Sequence, residues 1–170
     1  MTDHLKDKVA VITGSTSGIG AGIASAFAAQ GARIIINGFG PEDQIKEQIS
    51  ALENAGAEGC LYSNADLSDE AGVNALMDMA AQHFGGVDIL VNNAGVQHTD
   101  PVEDFPFEKW QLIQDLMLTA PFLAIKRAVP MMRDAGWGRV INIASVHGLV
   151  ASPNKAAYVA AKHGLVGLSK

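Results

Sequence analysis

The segment Val9 to Ala29, VAVITGSTSGIGAGIASAFAA, constrains this 170-residue chain more than any other stretch. An apolar run of strand length, Val9-Ala10-Val11-Ile12, enters a turn rich in glycine and hydroxyls and leaves it as a helix with few polar interruptions. Gly14, Gly18 and Gly20 have separate expected uses: a tight exit from the strand, an open backbone where a phosphate approaches, and close seating of the helix on the sheet. The first amides of a helix have no internal partners and sit at the positive end of its dipole, so an anionic group is favoured there. TGxxxGxG is one residue longer than the commoner GxGxxG, and glycine turns also serve geometry alone. The turn is therefore open to two readings, a dinucleotide site or a plain bend.

Strand-like and helical runs alternate along the rest of the chain. Arg33 to Asn37, RIIIN, is apolar on both faces, as buried parallel strands are. Pro41 to Asn54 reads as a helix closed by Gly56, and Gly59 to Ser63 as a weaker strand. From Asp69 to Phe84 the apolar residues Val73, Leu76, Met77 and Ala80 recur at helical spacing, with Ser68 as the expected N-cap. Asp88 to Asn92 is a fourth strand, Pro106 to Asp134 one long helix, Arg139 to Ala144 a fifth strand, and another helix begins near Tyr158. Such alternation requires a parallel sheet with right-handed crossovers and helices on both faces.

Composition narrows the function classes. With 48% apolar and 18% charged residues, positions 1–170 are expected to form one soluble α/β domain. Eighteen acidic against twelve basic residues give a net charge of −6 with no Lys/Arg run, so nucleic acid is not an expected partner. The single cysteine, Cys60, has no partner for an internal disulfide, and the start MTDHLKDK has no apolar segment of the signal-peptide kind; a reducing cytoplasm is the expected location. No run approaches the ~20 apolar residues that span a bilayer, and neither membrane insertion nor a metal site is expected.

The candidate chemistry lies between Ser145 and Gly164, SVHGLVASPNKAAYVAAKHG. Tyr158 and Lys162 are four apart in an Ala-rich segment, so both project from one helix face. An ammonium beside a phenol favours the phenolate, which can then accept a proton from an alcohol. Ser145, leaving the end of a strand, can hold the reacting oxygen; as isolated residues, the serine reads equally as a cap and the Tyr/Lys pair as surface. At the end of the second strand, where an acidic side chain would bond a ribose 2′-hydroxyl or an arginine a 2′-phosphate, the chain has Asn37-Gly38-Phe39-Gly40. Nothing there neutralises an extra phosphate, so NAD is expected rather than NADP. Phe39 either packs on the adenosine or covers the sheet edge.

TGSTSGIG (13–20), Asp66 in NADLS, NNAG (92–95), Ser145 and YVAAK (158–162), in that order, closely resemble the short-chain dehydrogenase/reductase family over the whole length. NGFG (37–40), VQHTDPVEDFP (96–106) and the segment 141–164 are similar to its bacterial D-3-hydroxybutyrate dehydrogenases. The resemblance implies a Rossmann-like doubly wound sheet in the order 3-2-1-4-5 and hydride transfer between NAD and the C3 carbon of 3-hydroxybutyrate, giving acetoacetate. By the same resemblance Tyr158 is the acid/base, Ser145 positions the substrate oxygen, and Lys162 favours the phenolate and bonds the nicotinamide ribose. Thr13, Gly14, Ser15, Thr16, Gly18, Ile19, Gly20, Phe39 and Asn93 would line the cofactor site, with Asp66 and Leu67 at the adenine and Asn92 beside the cleft. Gln97, His147 and Lys155 match positions that would hold the substrate carboxylate, which must be paired if desolvated.

Two departures stand out. Where the family carries an asparagine in a segment like LNLS, holding a water in a proton path, this chain has Leu116-Met117-Leu118-Thr119, and a thioether has no N–H to donate. Gln114, one turn earlier, is a candidate substitute. The resemblance also implies further strands, a segment at the nicotinamide carboxamide and a mobile lid beyond Lys170, so the 170-residue stretch is expected to show its fifth strand as an open edge and to assemble poorly into the family's usual homotetramer. Two other functions are carried alongside: a related reductase acting on another 3-oxo compound, and a catalytically impaired nucleotide-binding module.

Overall fold

The computed structural model describes residues 4–170; the first three residues of the MTDHLKDK stretch, and of the domain expected over 1–170, lie outside it. Strands β1 (Val9–Ile12), β2 (Arg33–Asn37), β3 (Gly59–Ser63), β4 (Ile89–Asn92) and β5 (Arg139–Asn142) form one parallel sheet in the order β3-β2-β1-β4-β5. The side-chain period of two explains why three successive isoleucines, Ile34 to Ile36, stand in β2. Ile34 and Ile36 lie with Ala10, Ile12, Ala24, Ala28 and Leu52 under α1 (Gly18–Ala28) and α2 (Glu42–Ala55). Ile35 points the other way, joining Val11, Leu76, Met77 and Leu90 under α3 (Glu70–Phe84) and the helix before β5. Each fully buried isoleucine contributes about 1.5–3 kcal/mol from removal of apolar area from water.

Three of the boundaries that differ from expectation follow from named contacts. The N-cap of α3 is Asp69, whose Oδ1 accepts the Gly72 N–H at 2.7 Å, while the Ser68 N–H is drawn back to Asp66 Oδ1 at 2.9 Å. A carboxylate is the better acceptor for an amide at the positive end of the helix, so it takes the cap from the hydroxyl one residue earlier. β5 ends at Asn142 rather than Ala144, its last ladder contact with β4 being Asn92↔Asn142.

The third concerns the long helix, which consists of α4 (Phe107–Gln114), a wider π turn over Asp115–Thr119 and α5 (Ala120–Asp134). Pro121 supplies the reason. It has no N–H for the Met117 carbonyl one turn back and its ring crowds that carbonyl, so the turn widens and the Ala120 N–H bonds Asp115 O, five residues earlier. A short 3-10 turn (Val146–Gly148) then leads towards α6 (Ala156–Ser169).

β5 pairs with β4 alone among the described residues, and Val140 and Ile141 are 37% and 39% exposed, so the expected open edge is present. No helix of the described residues is long and apolar enough to cross a membrane. Cys60 is buried in β3, where desolvation, with the Glu53 carboxylate adding to it, pushes its thiol up to about 12. A thiol reagent at mildly alkaline pH is expected to modify Cys60 only as fast as the fold opens, with labelling in a urea series tracking loss of helix. Rapid labelling of the folded chain would contradict this burial.

Candidate active site

Strand order reverses between β1 and β4, and in a parallel sheet the crevice at such a reversal opens at the carboxyl ends of the strands. The Gly-rich turn after β1 seals against the segment after β4. Gly14 (φ +59°) comes so close that a Cβ there would lie 2.7 Å from Ala94 Cα, and one on Gly20 would lie 2.4 Å from Gly14 O and 2.6 Å from Asn93 Nδ2. The close contact at Gly20 is thus with the turn itself, not with the sheet below as the sequence suggested.

Thr13 Oγ1 accepts the N–H groups of Asn93 (2.9 Å) and Ala94 (3.0 Å), and Asn93 Nδ2 donates to Thr13 O (2.9 Å) and Gly14 O (2.8 Å). Ser15 Oγ donates to Ile12 O at 2.6 Å and accepts the Asn37 N–H at 3.0 Å. These three side chains, grouped from sequence with the cofactor site, spend their hydrogen bonds on holding the turn. Ser17, Gly18 and Ile19 remain exposed. Ser17, the N-cap of α1, makes no side-chain cap bond, so the first helical amides have no side-chain partner from it.

From that helix end a cleft of about 440 Å³ runs between Thr16, Gly38, Phe39, Asp66 and Ala94. Phe39 is 69% exposed at the rim and covers no core. Asp66 accepts the Ser68 N–H, which together with the serine hydroxyl holds its carboxyl below the usual range. The Leu67 side chain is buried among Val73 and Leu76, so it supports the cleft from beneath. Asn92, placed beside the cleft from sequence, is buried and donates instead to Asn142 Oδ1 at 2.8 Å, joining β4 to β5. The glycine-walled cleft, opening at the uncapped start of a helix, fits a dinucleotide.

At the other side of the crevice α6 carries Tyr158 in its first turn and Lys162 one turn on. Both face the same way: Lys162 Nζ is 5.7 Å from the Tyr158 ring centroid. Lys162 is only 4% exposed and donates to Ile143 O at 2.5 Å, tying α6 to the backbone just before Ser145. Burial pulls its ammonium below the ordinary lysine range. Ser145 Oγ accepts the His147 N–H at 3.2 Å, and the His147 ring meets the Tyr158 ring edge-on at 6.2 Å. His147 Nδ1 is buried without a hydrogen-bond partner among the described residues.

Lys155 is not within the helix: it is the N-cap of α6, with φ −121° and ψ 34°, half-buried. Gln97 is exposed in the loop after β4. That loop reaches the Lys155 side through Asp100 N–H to Asn154 O at 2.9 Å, and is braced by His98, 3.3 Å from Asp100 Oδ2 and edge-on to Phe105 at 5.2 Å. Sequence reading did not single out the Asp100–Asn154 link, because it joins two loops 54 residues apart with no local pattern.

The short chain dehydrogenase profile matches residues 8–170. The chain belongs to the short-chain dehydrogenase family. It is 53% identical to the D-beta-hydroxybutyrate dehydrogenase of Cupriavidus necator, over 98% of this chain and 64% of that protein. It is 52% identical to the enzyme of the same name from Rhizobium meliloti, over 96% and 63%. A crystal structure from Sinorhizobium meliloti 1021, provisionally assigned as a short-chain alcohol dehydrogenase, superimposes with a TM-score of 0.90 at 30% identity, over 99% of this chain and 66% of that one. The chain therefore spans about 64% of the length of the curated relatives it matches.

Against the family pattern, Met117 is 2% exposed in the π turn and packs with Ile113, Ala157 and Ala161. Its sulfur and methyl lie under Gly95, where a Cβ would be 3.1 Å from Met117 Cε. Gln114, the candidate substitute, spends one of its two Nε2 hydrogens on Ala157 O at 2.9 Å.

The buried ammonium has a thermodynamic signature. Between the depressed value of Lys162 and the ordinary 10.5, the unfolded chain binds more protons than the folded one, so stability rises with pH across that window. Lys162→Met removes this contribution, and the stability difference between the two proteins is expected to change in favour of the wild type as pH rises towards 10.5 in urea titrations. A difference independent of pH would show that the ammonium is not perturbed.

Proposed function

We propose that the protein is a cytoplasmic NAD-dependent oxidoreductase that interconverts D-3-hydroxybutyrate and acetoacetate. The observation that carries this reading is the Tyr158–Lys162 pair on one face of α6, beside Ser145 and across the crevice from the open end of α1. The names of the two half-identical relatives support the substrate. NAD over NADP is supported by the absence of any cation in Gly38-Phe39-Gly40 and by Glu42 and Asp43 in the first turn of α2. Arg33 sits at the other end of β2 with Asp7 and Glu58.

Thr16, Gly38, Phe39 and Asp66 would hold the adenosine half of the dinucleotide, and its nicotinamide half, when bound beside Tyr158, would supply the hydride-accepting carbon. The chain's own groups handle the proton and the orientation. Ser145 Oγ bonds the substrate oxygen and fixes the face of C3 that is presented. Tyr158 Oη takes the proton of the hydroxyl as the C–H bond breaks, and returns it in the reverse direction. Lys162, desolvated and close to the ring, favours the phenolate and donates to the ribose. Gln97, Lys155 and the unpartnered Nδ1 of His147 offer donors to the carboxylate, with Lys155 supplying the charge.

Mixing the protein with NAD and D-3-hydroxybutyrate should raise NADH absorbance, and Tyr158→Phe should abolish the rise while leaving NADH binding intact. Lys155→Ala should raise KM by about ten- to a hundredfold, the worth of one charged hydrogen bond. Binding without turnover would instead mark a nucleotide-binding module, and turnover only with other 3-hydroxy or 3-oxo compounds a related reductase. Met117→Asn should raise kcat about tenfold or more if a proton path is restored. It should also lower the melting temperature, because an amide enters an apolar cluster. An unaltered kcat would exclude the proton-path role.

A further inference from the structure

We propose that Tyr62 sets the preference for NAD over its 2′-phosphorylated form, as a positioning residue acting through the backbone of the turn after β2. This rests on the NAD reading above. β3 pairs with β2 in the register Ile36↔Tyr62 and Asn37↔Ser63, which puts the Tyr62 ring on the α1–α2 face with Ile36. A half-buried phenol needs a partner for its hydroxyl. Tyr62 Oη donates to Gly38 O at 2.9 Å.

The next carbonyl along the turn is tied as well, but from the opposite side. Phe39 O accepts from Thr16 Oγ1 of the Gly-rich turn at 3.0 Å. Asn37 Nδ2 is engaged by Ser63 O (3.2 Å) and Ala65 O (3.0 Å), so this amide gives the turn no slack. Gly38 itself, at φ +145°, sits so close that a Cβ would be 2.7 Å from Thr16 Oγ1. Two successive carbonyls held by two separate elements leave the turn unable to retreat from the cleft it lines.

That rigidity matters because the turn has no charge with which to discriminate. A family fold that uses an acidic side chain here repels a 2′-phosphate directly and bonds the 2′-hydroxyl. In this chain Lys46 is taken by Glu42 at 2.6 Å, and Arg33 lies at the far end of the strand. A 2′-hydroxyl is small and neutral and fits against the fixed turn. A 2′-phosphate needs added space and donors, and the turn could provide either only by moving. Tyr62 does not line the cleft, so its effect passes through Gly38.

Calorimetric titration with NADH and with NADPH tests this. The wild type is expected to bind NADH more tightly, and Tyr62→Phe to narrow the NADH/NADPH affinity ratio by about three- to tenfold, the scale of one neutral hydrogen bond. Thr16→Val unties the other carbonyl and should narrow the ratio too, which keeps the idea testable if one variant folds poorly. A wild type without preference overturns the NAD reading and this proposal with it. A wild type that prefers NADH, with variants that keep the ratio or lose affinity for both dinucleotides equally, overturns the role of Tyr62 and leaves the NAD reading standing.

Discussion

The structure depends on a knot of hydrogen bonds where β1 and β4 leave the sheet in different directions. Backbone groups at diverging strand ends lose their ladder partners while still buried, and a buried unpaired amide is costly. Thr13 resolves this with one hydroxyl that accepts two N–H groups and donates to Val91 O at 3.3 Å. Asn93 returns its amide to the carbonyls of Thr13 and Gly14. The result is a wall between the two halves of the crevice, and the start of α1 is held against it through the turn rather than through a side-chain cap.

On the opposite wall a charged side chain is buried at some expense to stability. An ammonium at 4% exposure has lost most of its water and retains a carbonyl, Ile143 O, in exchange. Such a group is poised to take a further hydrogen bond, and it also fixes α6 against the backbone leading to Ser145. Tyr158 is supported from below by the apolar cluster of Ile113, Met117, Ala157 and Ala161. Met117 thus lies in the layer on which the phenol rests, in a turn widened by Pro121. A polar side chain at that position exchanges apolar contact for a hydrogen bond near the site, a common trade between stability and activity.

Much of this was legible in the linear order of residues. β1 and β2 fall where the apolar runs predict, because strands buried on both faces have an unmistakable composition, and β3 falls where its weaker pattern placed it. The pairing of Tyr158 with Lys162 follows from helical spacing alone. The Asp69 cap was missed because Ser68 and Asp69 are both good caps, and the choice between them turns on where Asp66 holds the Ser68 amide. The π turn has a local cause in Pro121, which falls in the middle of the expected Pro106–Asp134 helix, where a missing N–H disturbs the turn before it.

The sequence by itself determined the alternation of elements, the Gly-rich turn, the face that Tyr158 and Lys162 share, and the lack of charge after β2, since each of these rests on local spacing or residue type. Only the tertiary structure decided that Thr13, Ser15 and Asn93 hold the turn, that Lys162 reaches Ile143 O, and that Tyr62 ties Gly38. These are hydrogen bonds between residues 19 to 81 positions apart, made because burial leaves each polar group only the partners packed around it, and no periodicity in the chain records which those will be.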